Sequence, residues 1–145
     1  MKPLLTLALS LFCTMSNAAD LTYLPTVHHF QRENLYGNKW NENTRGIKLT
    51  LDNGLTVGTM KNSYFKQSSY IGYTYRPIKV GNVEAGVMAG LVSGYDSKAM
   101  ALKAPVMGAA TIKWQATEKY HVEVIAVPTV GKSSGFVSVG FGTTF

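Results

Sequence analysis

The sequence predicts an all-β protein, an eight-stranded antiparallel transmembrane β-barrel, and three observations predict it. After about residue 19, turn chemistry cuts the chain into eight extended segments in which apolar residues alternate with small or polar ones, the period of a strand. The connections alternate between short turns and longer polar loops, as in a barrel whose two termini share one side. No stretch beyond the first 18 residues approaches the roughly 20 apolar residues of a membrane helix, so any crossing of a membrane must be by strands.

The chain opens with Met1-Lys2, an apolar run over residues 4 to 12, and Ser16-Asn17-Ala18, a pattern that reads as a signal peptide over residues 1 to 18. Residues 19 to 145 then form one barrel domain, expected in the outer membrane of a Gram-negative cell. The apolar run is too short to serve as an anchor. Phe12 stands before Cys13 where a lipoprotein needs a small residue, so the lone cysteine leaves with the signal. Without disulfides, a small exported domain needs another source of stability, and closure of a sheet on itself provides one. The formal charge of +6 becomes +5 once Lys2 is removed. The lysines are scattered singly, with no basic helix or stacking platform, which argues against nucleic acid. Attraction to the phosphates of lipopolysaccharide fits the charge better.

Taken in order, residues 21 to 31 make the first strand, with Pro25 at an edge or bulge. Residues 32 to 44 are polar and asparagine-rich, a long loop. Ile47, Leu49 and Leu51 alternate with Gly46, Lys48 and Thr50 in the second strand, and Asp52-Asn53-Gly54 forms a tight hairpin turn. Residues 55 to 62 return as the third strand. A short loop over residues 63 to 67 leads to the fourth at 68 to 77, and a turn follows at 78 to 82. The fifth strand sets Val83, Ala85, Val87, Ala89 and Leu91 outward against Glu84, Gly86, Met88 and Gly90 inward. A longer loop covers 93 to 104, then strands at 105 to 114 and 120 to 130 flank a turn. In the last strand Val137, Val139, Phe141 and Phe145 share one face, opposite Ser138, Gly140, Gly142 and Thr144. Ending on an aromatic resembles bacterial outer-membrane barrels as a class.

The inward positions carry a second pattern. Toward the short turns they offer Lys48, Arg76, Glu84, Lys113 and Glu123, of both signs. Toward the long loops they become Gly86, Met88, Gly90, Val92, Met107, Ala109, Ile125 and Val127, an apolar interior suited to a hydrocarbon chain. Two places carry potential chemistry, both at long-loop ends: His28-His29-Phe30 and Lys61-Asn62-Ser63-Tyr64. A serine needs a base within hydrogen-bond reach to become nucleophilic and a third group to orient that base. Asn62 is expected to orient the histidine or to donate to an oxyanion. No ligand spacing for a metal is present, and no cofactor is expected.

Tyr23-Leu24-Pro25, His29-Phe30, Asn41-Glu42, Asn62-Ser63 before an aromatic, Gly72-Tyr73, Arg76-Pro77, Ala89-Gly90, Pro105-Val106 and the Pro128 region follow one another in an order and spacing that resemble the PagP family of outer-membrane lipid A palmitoyltransferases. The resemblance runs from about residue 21 to 145. It implies a tilted eight-stranded barrel that holds a phospholipid acyl chain in its upper lumen and transfers it to lipid A. The family's catalytic His, Asp and Ser correspond to His29 or its neighbour His28, Asn62 and Ser63. Its strand-breaking prolines, which admit lipid sideways, correspond to Pro25 and Pro128.

Three departures qualify what is carried over. Asn62 replaces an Asp and cannot hold charge against an imidazolium, although an amide can still orient a histidine. The amphipathic helix that precedes the family's barrel has no counterpart, since the first strand begins almost at once after residue 18. Gly72-Tyr73-Thr74 stands where the family has Gly-Tyr-Gly at the floor of its acyl pocket, so Thr74 is expected to shorten the accepted chain. The expected pocket is Gly72, Thr74, Met88, Gly90 and Val127. The expected protein is a monomer with a phospholipid donor and a lipid A acceptor. The alternatives are a non-enzymatic barrel that binds lipopolysaccharide or modifies the cell surface, and a lipid A deacylase or phospholipase.

Overall fold

The structure, a computed structural model, describes residues 19–34, 36–100, 104–130 and 133–145. The expected signal peptide and Cys13 lie outside the described residues. Eight strands follow one another: β1 (Ala19–His29), β2 (Gly46–Leu51), β3 (Leu55–Lys61), β4 (Gln67–Val80), β5 (Val83–Val92), β6 (Val106–Gln115), β7 (Tyr120–Val127) and β8 (Phe136–Thr144). A single 3-10 turn, Ser97–Ala99, sits between β5 and β6. Each strand pairs antiparallel with its neighbours in chain order, and β8 pairs with β1 to close the barrel. The seam holds to its end, where Ala19 N–H donates to the Phe145 carbonyl at 2.7 Å and Phe145 N–H to the Ala19 carbonyl at 3.0 Å.

The eight-stranded barrel read from alternation is therefore the fold; β1 ends at His29 and not at 31, several other ends shift by one residue, and three further boundaries differ for physical reasons. β1 begins two residues earlier, because Ala19 and Asp20 complete the ladders to β2 and β8. β4 does not stop at Pro77. A register shift between Tyr75 and Ile78 places Pro77 in an irregularity of the β4–β5 ladder, where a missing N–H is tolerated, and pairing resumes through Val80. The turn is then only Gly81 and Asn82, with Gly81 at φ 56°. β7 stops at Val127 instead of 130, since Pro128 cannot donate to a ladder.

The wall has two unlike faces. Outward, Leu21, Ile47, Ile71, Val87, Leu91, Val106, Ile112 and Val139 are exposed, and Tyr23, Tyr73, Tyr75, Trp114, Tyr120 and Phe141 are exposed on the same face toward the short turns. Inward, the lower lumen is polar and closed. Lys48 and Glu123 are both 0% exposed and form an ion pair. Arg76 reaches Glu123 at 2.5 Å and Asp20 at 3.6 Å, and Lys113 reaches Asp20 at 2.8 Å. His121 lies beside them, its Nε2 2.9 Å from Thr22 Oγ1. Above this cluster the buried Leu24, Met88, Ala109 and Ile125 make an apolar layer, with Met107 and Val127 packed on it. Thus the expected division of the lumen is present, and Asp20 and His121 join it.

Candidate functional site

Strand alternation decides which histidine enters the barrel. His29, the last residue of β1, points in and is buried. His28 points out, with 75% of its side chain exposed and Nδ1 3.4 Å from Glu42 Oε1. Glu42 also accepts from the His29 backbone N–H at 3.3 Å, fixing the strand end.

Across the mouth, β3 ends at Lys61 and a tight turn follows. Asn62 N–H donates to the Lys66 carbonyl at 2.7 Å, and Phe65 N–H to the Asn62 carbonyl at 3.0 Å. The Asn62 side chain holds this turn. Its Oδ1 accepts from the N–H groups of Tyr64 (2.9 Å) and Lys66 (3.0 Å), while Nδ2 donates to Ser68 Oγ (2.9 Å) and the Gly94 carbonyl (2.8 Å). Asn41 clamps the turn from outside, its Nδ2 donating to the Asn62 carbonyl at 2.9 Å and its N–H to the Ser63 carbonyl at 2.9 Å. The result aims Ser63 inward, where its Oγ lies 2.8 Å from His29 Nε2. Histidine and serine, 34 residues apart in sequence, meet in hydrogen-bond contact.

Asn62 takes a different part from the one expected of it. Both its amide hydrogens and its carbonyl are occupied within the turn and by β4 and the β5–β6 loop. It therefore neither orients His29 nor offers a donor to substrate. His29 Nδ1 is buried without a hydrogen-bond partner among the described residues. The ring is held instead by stacking on Trp40, with centroids 4.4 Å apart and planes 6° from parallel, and by the Phe136 ring at 5.6 Å. For Nε2 to accept the serine proton, the imidazole hydrogen must sit on Nδ1.

Tyr95 is a further neighbour that sequence reasoning missed. It lines the same cavity as Ser63. Burial pushes the Tyr95 phenol above its usual range. The Tyr64 phenol is pushed up to about 12, chiefly by burial and then by Tyr36, Tyr95 and Asp96. Both phenols keep their protons at neutral pH and remain donors. Tyr64 makes edge contacts with Trp40, Tyr36 and Tyr95, centroids 5.4 to 6.1 Å apart, an aromatic wall beside the serine.

Beneath lies a cavity of 790 Å³, lined by Ser63 and Trp40 at its mouth and by Met88, Met107, Ala109, Val127 and Phe136 further in. Of the expected pocket residues, Met88 and Val127 line it, while Gly72, Thr74 and Gly90 do not. Gly72 and Gly90 face each other across the β4–β5 ladder, where a Cβ on Gly72 would stand 2.9 Å from Gly90 Cα, so their smallness serves strand packing. Thr74 is buried off the cavity, its hydroxyl 2.7 Å from that of Thr56. The floor is Met88 and Ala109, over the charged cluster.

The prolines also divide. β6 and β7 are paired only from Ala110 and Ala126 downward, so Val106 to Ala109 face no β7 partner, and Pro128 carries the chain away above Val127. The cavity reaches this gap, since Pro128, Ala126 and the outward-facing Val87 and Val106 line it. At Pro25 the β1–β2 ladder likewise ends, at Leu24 and Gly46. There, however, the loop crosses the gap: Arg45 N–H donates to the Pro25 carbonyl at 3.2 Å and Val27 N–H to the Glu42 carbonyl at 2.9 Å. The side opening lies at Pro128.

Among the described residues no group of three or more His, Cys, Asp and Glu is placed to hold a metal. No family model matches this chain, and a search of curated proteins finds no match either.

Proposed function

We propose that the chain is an outer-membrane acyltransferase that moves a fatty acyl group from a phospholipid to lipid A, as its resemblance to the PagP family implies. One observation carries the reading: a serine hydroxyl 2.8 Å from an imidazole, at the mouth of an apolar cavity of 790 Å³ that opens through the wall. That volume lies within the roughly 300 to 1,000 Å³ of ordinary ligand pockets. The apolar outer face with its tyrosines and tryptophan, around a polar lower lumen, supports placement in an outer membrane.

In this reading the donor's acyl chain enters beside Pro128 and lies over Met88, bringing its ester to Ser63. His29 Nε2 takes a proton as Ser63 attacks the carbonyl, or as Ser63 relays attack by the acceptor hydroxyl. Tyr95, on the same cavity as Ser63, replaces Asn62 as the side chain that would donate to the developing oxyanion. In net terms one ester bond breaks and one forms; in the relayed route the acceptor's proton passes through Ser63 and His29 to the freed lysophospholipid oxygen, while in the covalent route an acyl-serine ester forms and breaks in between, the Ser63 proton going to the lysophospholipid and the acceptor's proton returning to Ser63.

The test is to express the protein in a Gram-negative strain lacking its own palmitoyltransferase and to weigh lipid A. A heavier lipid A that reverts with Ser63→Ala supports transfer. Unchanged lipid A with wild-type protein in the membrane refutes it. The unpartnered Nδ1 of His29 favours a second reading, a barrel that holds a lipid chain without transferring it. That reading expects lipid to copurify equally with wild type and Ser63→Ala.

A further inference from the structure

On the far side of Tyr64 from the acyl cavity lies a second cavity of 570 Å³, open to the loop surface. Its lining is of another kind: Asn34, Tyr36, Asn38, Lys39, Tyr64, Phe65, Lys66 and Asp96. Three features set it apart from an ordinary solvated rim.

The first is strain. Phe65 holds φ at 63°, the left-handed region, which a bulky aromatic enters only at a cost in free energy. The same residue is 57% exposed, so the turn places a large apolar ring in water as well. A glycine would relieve both costs, and the turn's hydrogen bonds come from Asn62 and not from the Phe65 side chain. The second is charge. Neither Lys39 nor Lys66 has a carboxylate within ion-pair distance among the described residues. Asp96, the one carboxylate in the lining, accepts from Tyr36 Oη at 3.4 Å and Lys98 N–H at 3.1 Å. The third is position. Tyr64 belongs to the walls of both cavities and directly follows Ser63.

We infer that this cleft seats a phosphate-bearing sugar, the polar end of the acceptor. The two ammonium groups meet the phosphate, the Phe65 face opposite the Lys61 ammonium, which lies 5.7 Å from the ring centroid, stacks on the sugar ring, and the amides of Asn34 and Asn38 with Asp96 meet its hydroxyls. The assignment rests on the transfer reading above for its role as an acceptor site, while binding itself is independent of chemistry at Ser63.

The experiment titrates the purified barrel in zwitterionic detergent with glucosamine 1-phosphate, glucosamine, glycerol 3-phosphate and inorganic phosphate, reading Kd by calorimetry. Glucosamine 1-phosphate should bind at least about tenfold more tightly than the other three. Lys39→Gln with Lys66→Gln should weaken it by about tenfold and flatten its salt dependence. Phe65→Gly should weaken it by roughly three- to tenfold while the Tm holds or rises, because strain is removed. Ser63→Ala should bind it as wild type does. Equal binding of glycerol 3-phosphate or bare phosphate overturns the sugar assignment, as does a Phe65→Gly variant with unchanged affinity. Binding that survives alongside unaltered lipid A in cells would refute transfer and leave the cleft standing.

Discussion

Replacing Glu123 by leucine tests how the lower lumen is held. Glu123 is fully buried and accepts from Lys48, from Arg76 at 2.5 Å and from Thr22 Oγ1 at 3.3 Å. Arg76 would keep Asp20 at 3.6 Å, but Lys48, itself fully buried, has no other ion partner among the described residues. Breaking one side of a buried pair leaves an uncompensated charge and costs about 3 to 5 kcal/mol. Lys48→Met with Glu123→Leu removes both charges, and should therefore lie within about 2 kcal/mol of wild type. Urea unfolding of the barrel in detergent, followed by the fluorescence of Trp40 and Trp114, measures both, and the cycle gives the coupling. A Glu123→Leu cost below about 1 kcal/mol, or a double variant as unstable as the single, would refute the claim that the cluster is a mutually dependent set of buried charges.

Other expectations follow from the site. His29→Ala should abolish acyl transfer, while His28→Ala, altering a side chain outside the barrel, should retain it; lipid A mass spectra of the two separate them. Asn62→Asp should not raise the transfer rate, since Asn62 is directed away from His29; its loss of two donors to Ser68 and Gly94 should instead lower the melting temperature. Thr74→Gly should leave acyl length unchanged, because Thr74 lies beside Thr56 and off the cavity, whereas Met88→Ala should deepen the floor and lengthen the preferred chain. The fatty acid profile of the product checks both.

The sequence made the barrel legible because a wall between an apolar exterior and a filled lumen forces period-two alternation on every strand. The same alternation placed Lys48, Arg76, Lys113 and Glu123 inside. Proline was less decisive. At Pro128 it ends a strand, but at Pro77 an irregular register absorbs it, and which occurs depends on whether the partner strand can resume pairing. At the site, His29 and Ser63 were legible as strand-end residues of suitable chemistry. Trp40 and Tyr95 were not, because they arrive from loops where no periodicity fixes direction. An aromatic inside an asparagine-rich loop was the one available signal for Trp40. Thr74 was misplaced because a tilted strand carries its inward residues past the cavity floor. A turn amide such as Asn62 can serve a neighbour or its own backbone, and only the closed turn shows which.

The division of the lumen bears on why Ser63 and His29 sit where they do. A serine hydroxyl in a barrel filled throughout with charge would find no apolar chain beside it, and one in a barrel apolar throughout would lack a stable, water-excluding base. Here the charged cluster fills the lower half, so in the proposed transfer a chain entering beside Pro128 would end on Met88 and Ala109. On that reading the floor would fix depth, and depth would fix which carbon reaches Ser63. The upper rim, bound by Asn41, Asn62 and the His29–Trp40 stack, holds Ser63 and His29 with few rotamers left to lose, as the proposed transfer requires of a nucleophile and its base. The placement of Ser63 beside His29 therefore depends on two separate supports, one ionic below and one hydrogen-bonded above. Weakening the lower support should first blur acyl-length selection, while weakening the upper should first slow transfer.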